Sequence, residues 1–159
     1  SCVVSTATEL SRCGELLMKP AILDTDILLD ILNGRPARVQ EYARRYRETY
    51  LRYTITAVTI AELARGLGRQ GNGHEWLDQI LAQVEVLPLD STAARLAGQI
   101  YGELERIGQG IGWADCLIAG IALSLERVLV TGNIRHFTRI IAIGYPLDVI
   151  NWREAGAGS

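Results

Sequence analysis

The chain has 159 residues, 48% of them apolar, and a formal net charge of −2. That length suits one domain with a single sizeable core, and the composition excludes both a disordered chain and a globally basic field that would gather nucleic acid. Lys19 is the only lysine among 16 basic residues, so any cationic surface here is built of arginine.

The three cysteines, Cys2, Cys13 and Cys116, are odd in number and lack CxxC or Cys/His ligand spacing. A disulfide framework or structural zinc is disfavoured, and a reducing cytoplasm is the expected setting. The longest apolar stretch, 116–125, is too short to span a bilayer. Residues 1–17 lack the basic start and apolar centre of a signal peptide. They read as an upstream extension or expression remnant without functional part, because KPAILD after Met18 opens as a compact domain would. One domain is expected over 18–152, with a tail at 153–159.

Along the chain, 21–23 is strand-like and a short helix covers about 25–33, broken by Gly34 and Pro36. Residues 38–50 form an amphipathic helix with Val39, Tyr42, Ala43 and Tyr46 on one face. A strand at 53–56 leads into a helix whose core stripe is Ile60, Leu63, Ala64 and Leu67. GRQGNG is a loop; 74–83 is helical and 84–87 a strand. Asp90 caps a helix that runs to about Ile107. Residues 113–125 form a nearly all-apolar, buried helix. A strand at 128–131, a short helix at 133–139 and a strand at 147–150 complete the pattern. Strands separated by helices predict a parallel sheet of about five strands with helices on both faces. Ligands bind beyond the carboxyl ends of such strands.

Several acids lie near those ends. Asp24 follows the first strand, either as an N-cap or as a functional carboxylate. Asp26, in the first turn of the helix, suits its positive end, and Asp30, one turn later, reads as a solvated face. Glu62 could close a capping box with Thr59, but a strand ending at Thr56 moves the cap there and frees Glu62. Asp115 shares a face with Ile118, Ala119 and Ala122. A carboxylate on a core-facing stripe is costly unless a cation or a helix N-terminus stabilises it. Asp24, Glu62 and Asp115, on three elements at one sheet edge, supply the hard oxygen donors that Mg²⁺ or Mn²⁺ requires. His74 and His136 are the only histidines, too few for a zinc set.

Asp24-Thr-Asp26 after a strand also matches the first motif of a HAD-type phosphatase, in which the first aspartate is the nucleophile. That chemistry needs a lysine contributed later in the chain, and none follows Lys19. Between 35 and 52, six arginines (Arg35, Arg38, Arg44, Arg45, Arg47, Arg52) face Glu41 and Glu48, with Tyr42, Tyr46, Tyr50 and Tyr53 interleaved. Arginine pairs phosphates and tyrosine stacks on unpaired bases. The alternative is a solvated helix with core tyrosines, which spacing favours for Tyr42 and Tyr46. Arg38, Arg45, Arg65 and Arg135 are the candidates for RNA contact.

ILDTDILLDIL, TAVTIAELARGL, GWADCLIAGIAL, LVTGNIRHFTRI and the closing INW, over about 18–152, together resemble the PIN-domain family, and within it the toxins of VapBC-type toxin–antitoxin pairs. The resemblance implies a three-layer α/β/α sandwich and a Mg²⁺- or Mn²⁺-dependent endoribonuclease that leaves a 3′-hydroxyl and a 5′-phosphate. It also implies a homodimer, and a small cognate antitoxin that blocks the site by presenting a cation to the acids. Asp24, Glu62 and Asp115 match the acidic triad, which would be both catalytic and metal-binding; Thr25, Thr131 and Asn133 match supporting positions. Asn133 stands where a fourth acid is common, and His136 occupies a following position that is often acidic. One negative charge fewer implies a weak second metal. A degenerate PIN domain that only binds protein is the competing reading.

Overall fold

Short strands with alternating faces set the architecture of the computed structural model, which describes residues 14–15 and 19–154. The readings made for residues 1–13, 16–18 and 155–159, including Cys2 and Cys13, lie outside the described residues. The elements in chain order are β1 (Ala21–Leu23), α1 (Thr25–Leu32), α2 (Ala37–Tyr50), β2 (Tyr53–Thr56), α3 (Ala57–Gln70), α4 (His74–Leu81) and β3 (Val84–Leu87). Then follow α5 (Ser91–Arg106), α6 (Trp113–Ser124), β4 (Val128–Val130), α7 (Ile134–Ala142) and β5 (Val149–Ile150).

β4 pairs in parallel with β1, Leu23 opposite Val130, and with β5 on its other side. β2 pairs in parallel with β3, Thr56 opposite Leu87. β1 and β2 lie side by side without a ladder between them. The five strands are therefore parallel, in the order 3-2-1-4-5, but their hydrogen bonds form a three-stranded and a two-stranded ladder rather than one continuous sheet.

Because side chains alternate along a strand, each strand feeds two cores. Ala21, Leu23, Ile55, Val128, Val130 and Ile150 pack with α1 to α4, while Ile22, Leu129 and Leu87 pack with α5 to α7. That is the expected three-layer arrangement. α5 and α6 approach closely: a Cβ on Gly120 would strike the Ala93 carbonyl oxygen. α7 runs three residues past its expected end because Ile140 is buried in its stripe, and Gly144, at φ 103°, follows the turn that stops it. Among the described residues, no helix is long and apolar enough to cross a membrane.

The interleaved tyrosines belong to this core. Tyr46 accepts from the Ala21 amide at 3.0 Å and stacks among Tyr50, Tyr53 and Trp152; Tyr53 donates to the Ala43 carbonyl at 3.2 Å. Their polar tips are satisfied internally, so Tyr46 is a core residue, as its spacing favours, and Tyr53, which the sequence leaves open, packs against the same core. Trp152, from the closing INW, is buried against the same cluster.

Candidate active site

At the carboxyl ends of β1 and β4 the chain leaves the ladder, and the first residues beyond it turn their side chains towards one another. Asp24 caps α1, its Oδ1 accepting from the Thr25 amide at 2.8 Å. Its Oδ2 accepts from the Thr131 hydroxyl at 2.7 Å; Thr131 directly follows β4. The Asp24 amide donates to the Val130 carbonyl at 2.9 Å, so the ladder itself fixes this pair. Thr25 Oγ1 donates to Glu62 Oε1 at 2.8 Å, which brings in α3. Glu62 is free to do so because Thr56, as expected, caps α3 by accepting from the Thr59 amide.

On the other side, the Asn133 amide N–H donates to Thr131 Oγ1 at 3.0 Å. The Asn133 side chain lies 2.8 Å from His136 Nδ1, and that same nitrogen is 2.6 Å from Asp115 Oδ2 in the first turn of α6. One run of contacts thus joins Glu62, Thr25, Asp24, Thr131, Asn133, His136 and Asp115. All three acids and all three supporting residues expected from the sequence lie on it.

Asp24 is 7% exposed, and its carboxyl is pushed up to about 6. Burial is the main cause, opposed by the Thr131 and Thr25 bonds and reinforced by the carboxylates of Asp26 and Asp115. Asp26 is raised as well, again chiefly by burial, with Arg153 opposing. Arg153 is the nearby cation, but it is committed elsewhere: its Nε lies 2.6 Å from Asp30 Oδ2 and its Nη1 3.5 Å from Asp26 Oδ2. Among the described residues, no lysine or arginine is ion-paired with Asp24, Glu62 or Asp115.

Hard oxygen donors with excess negative charge and no paired cation have the chemistry of a divalent-ion site. As placed, each carboxylate is held by a protein donor. No three His, Cys, Asp or Glu side chains among the described residues surround one point. The donor types suit such an ion but are not gathered around one as placed, so loading one would mean exchanging these bonds, above all the contact between Asp115 and His136.

A family model described as the PIN domain matches residues 21–142. The chain belongs to the PIN-domain family. Curated relatives include the tRNA(fMet)-specific endonucleases VapC of Shigella flexneri, 34% identical over 75% of this chain and 90% of that protein, and of Salmonella typhimurium, 34% identical over 77% and 92%. Among solved structures, DNA-bound VapBC from Salmonella typhimurium matches with TM-score 0.69 and 30% identity over 84% of this chain and 98% of that one. VapBC2 from Rickettsia felis, bound to a promoter DNA fragment, matches with TM-score 0.67 and 28% identity over 83% and 98%.

In this PIN domain several surrounding residues behave differently from their sequence reading. Asp30 is not a solvated face but the main partner of Arg153, a residue assigned to the tail. Asp26 does more than suit a helix end: its two oxygens accept from the Ile27 and Gly132 amides at 2.8 and 2.9 Å. A Cβ at Gly132 would displace the ends of the Asp26 and Arg153 side chains. Asn133 occupies the N-cap position of α7 without capping it, because its side chain turns to His136. Of the RNA-contact candidates, Arg45 pairs with Glu41 at 2.7 Å on its own helix and Arg38 reaches the Glu154 carbonyl, whereas Arg65 and Arg135 are exposed.

Proposed function

We propose that this chain is a divalent-metal-dependent endoribonuclease and the toxin of a type II toxin–antitoxin pair. The observation that carries the reading is an acid set with no lysine or arginine partner among the described residues, just beyond β1, in the second turn of α3 and in the first turn of α6, centred on a buried Asp24 whose carboxyl sits near 6. Relatives named as RNA endonucleases and assembled as VapBC complexes support it. Asp24 and Asp115 would hold Mg²⁺ or Mn²⁺, with Glu62 direct or through water. The ion would acidify a water and offset phosphate charge. The protein's part is to keep those oxygens in place. Thr131 and the Thr25 amide orient Asp24, the Thr25 hydroxyl orients Glu62, and Asn133 braces Thr131 from behind. No side-chain nucleophile is involved.

The substrate class is RNA, and a tRNA is the first candidate because the two relatives are named for one. The same reading carries a cytoplasmic setting, a homodimer, and a small antitoxin that docks at the acids with a cation of its own. The test incubates the purified protein with transcripts of initiator and elongator tRNAs in Mg²⁺, Mn²⁺ or EDTA. Cleavage that requires the ion and disappears in Asp24→Asn and Asp115→Asn is expected. EDTA-resistant cleavage, or full activity in both variants, overturns the assignment; failure to cut any RNA favours a binding-only PIN domain.

A further inference from the structure

Asp26 uses both carboxylate oxygens as acceptors, and they face different elements. Oδ1 accepts from the Ile27 amide of its own helix at 2.8 Å, and Oδ2 accepts from the Gly132 amide at 2.9 Å. Gly132 lies between Thr131, whose hydroxyl donates to Asp24 Oδ2 at 2.7 Å, and Asn133, whose amide donates to Thr131 Oγ1 at 3.0 Å. Asp26 therefore ties the start of α1 to the turn that orients the central acid. An asparagine there could satisfy only one of the two amides, because its NH₂ cannot accept.

Arg153 holds Asp26 in turn. Its Nη1 is 3.5 Å from the same Asp26 Oδ2, and its Nε is 2.6 Å from Oδ2 of Asp30, one turn further along α1. Carboxylates at i and i+4 on one helix face suit the planar fork of a guanidinium, which a single ammonium cannot span. The arginine approaches from a firm base just past β5. Its amide donates to Asn151 Oδ1 at 3.0 Å, the Glu154 amide donates to the Asn151 carbonyl at 3.1 Å, and Trp152 beside it is buried. Guanidinium and carboxylate close over Gly132, where a Cβ would meet both.

We propose that Arg153 is a positioning residue of the acid site: acting through Asp26 and the Gly132 amide, it sets the turn that carries Thr131 and Asn133, and hence the orientation of Asp24. The proposal rests on the ribonuclease reading above. The Arg153 side chain is 38% exposed, and ion pairs that exposed contribute little to global stability. Its loss should loosen the turn rather than unfold the chain.

Two measurements on the full chain test this. In EDTA, amide hydrogen exchange read by NMR should speed up about tenfold at Gly132 in Arg153→Gln. The amides of Asp24 and Thr131, bonded to the Val130 and Ile150 carbonyls, should keep their rates. In cleavage of initiator tRNA transcripts, Arg153→Gln should lower kcat by about ten- to a hundredfold with KM unchanged. Arg153→Lys, which keeps the charge without the fork, should recover only part of that loss. Arg153→Gln combined with Asp26→Asn should be no slower than Asp26→Asn alone, because both act along one path. Circular dichroism establishes that the variants fold. Exchange that rises equally at all three amides makes the clamp a general brace and overturns the proposal. A raised KM at constant kcat, which makes Arg153 an RNA contact, overturns it too, as does full recovery in Arg153→Lys. A wild-type chain that cuts no RNA overturns the ribonuclease reading, while the exchange pattern still decides whether Arg153 sets the turn.

Discussion

A buried carboxylate with no cation beside it costs stability, and Asp24 shows how much. Its neighbours are the Thr131 hydroxyl and the Thr25 amide, which favour the ionised form, and the carboxylates of Asp26 on its own helix and Asp115 on α6, which oppose it. Glu62 stands one hydroxyl away through Thr25, and Arg153 spends its charge on Asp26 and Asp30. The folded-state value of about 6 lies above the ordinary 3.8. The group therefore stabilises the fold fully below pH 3.8 and loses that contribution as pH rises through 6. The loss is on the order of 3 kcal/mol by neutral pH, at 1.36 kcal/mol per unit. Asp24→Asn, unfolded in EDTA, should be more stable than the parent at pH 8 and nearly equal to it at pH 4. Denaturant midpoints at the two values check this; a parent that gains stability towards pH 8 while the variant does not would contradict it. A site that weakens its own fold is expected where charge is kept for a ligand.

Among the elements, glycines on α5 and α6 separate two roles. Gly120 of α6 faces the Ala93 carbonyl of α5, where a Cβ has no room, while Gly98 of α5 has nothing within 4 Å of its would-be Cβ. Gly120→Ala must push two buried helices apart, which overpacking experience sets at roughly 1–3 kcal/mol. Gly98→Ala adds helix propensity and removes unfolded-chain freedom, a gain of roughly 0.5–1 kcal/mol. Thermal melts of the two variants should move in opposite directions; a neutral Gly120→Ala would mean that the helices are not held together there. Element order and the two-faced sheet were legible because apolar periodicity of 2 and 3.6 follows directly from burial. The break between the β1 and β2 ladders was not, since it depends on how adjacent strands lie and leaves the side-chain alternation unchanged. Asp24, Glu62 and Asp115 were readable from their places at strand ends and helix starts. Arg153 with Asp30 joins residues 123 apart in the chain, and no local pattern encodes such a contact. Spacing placed Tyr42 and Tyr46 with the core, but Tyr50 and Tyr53 stayed open because an aromatic stripe looks the same whether it covers a core or a base.

For the molecule as a whole, charge determines how RNA can be held. A net charge of −2 gives no long-range attraction to a polyanion. The arginine-rich α2 is less available than its composition suggests, because Arg44 is paired with Glu41 and Glu48, and Arg45 with Glu41. Arg38 donates to the Glu154 carbonyl. Arg65 on α3, the helix of Glu62, and Arg135 on α7, beside His136, are exposed and make no ion pair among the described residues. Each phosphate contact with single-stranded nucleic acid contributes a slope of about −0.7 to the dependence of log affinity on log salt. Arg65 and Arg135 acting alone therefore predict a slope of about −1.4, and all four candidates about −2.8. Fluorescence titration of a single-stranded RNA oligonucleotide with the Asp24→Asn protein, across a series of KCl concentrations, reads this slope without cleavage. Arg65→Ala and Arg135→Ala should each flatten it by about 0.7, while Arg45→Ala leaves it unchanged, because its charge is already spent on Glu41. A slope steeper than about −4, or one insensitive to both exposed arginines, would place the RNA on a different and wider basic surface.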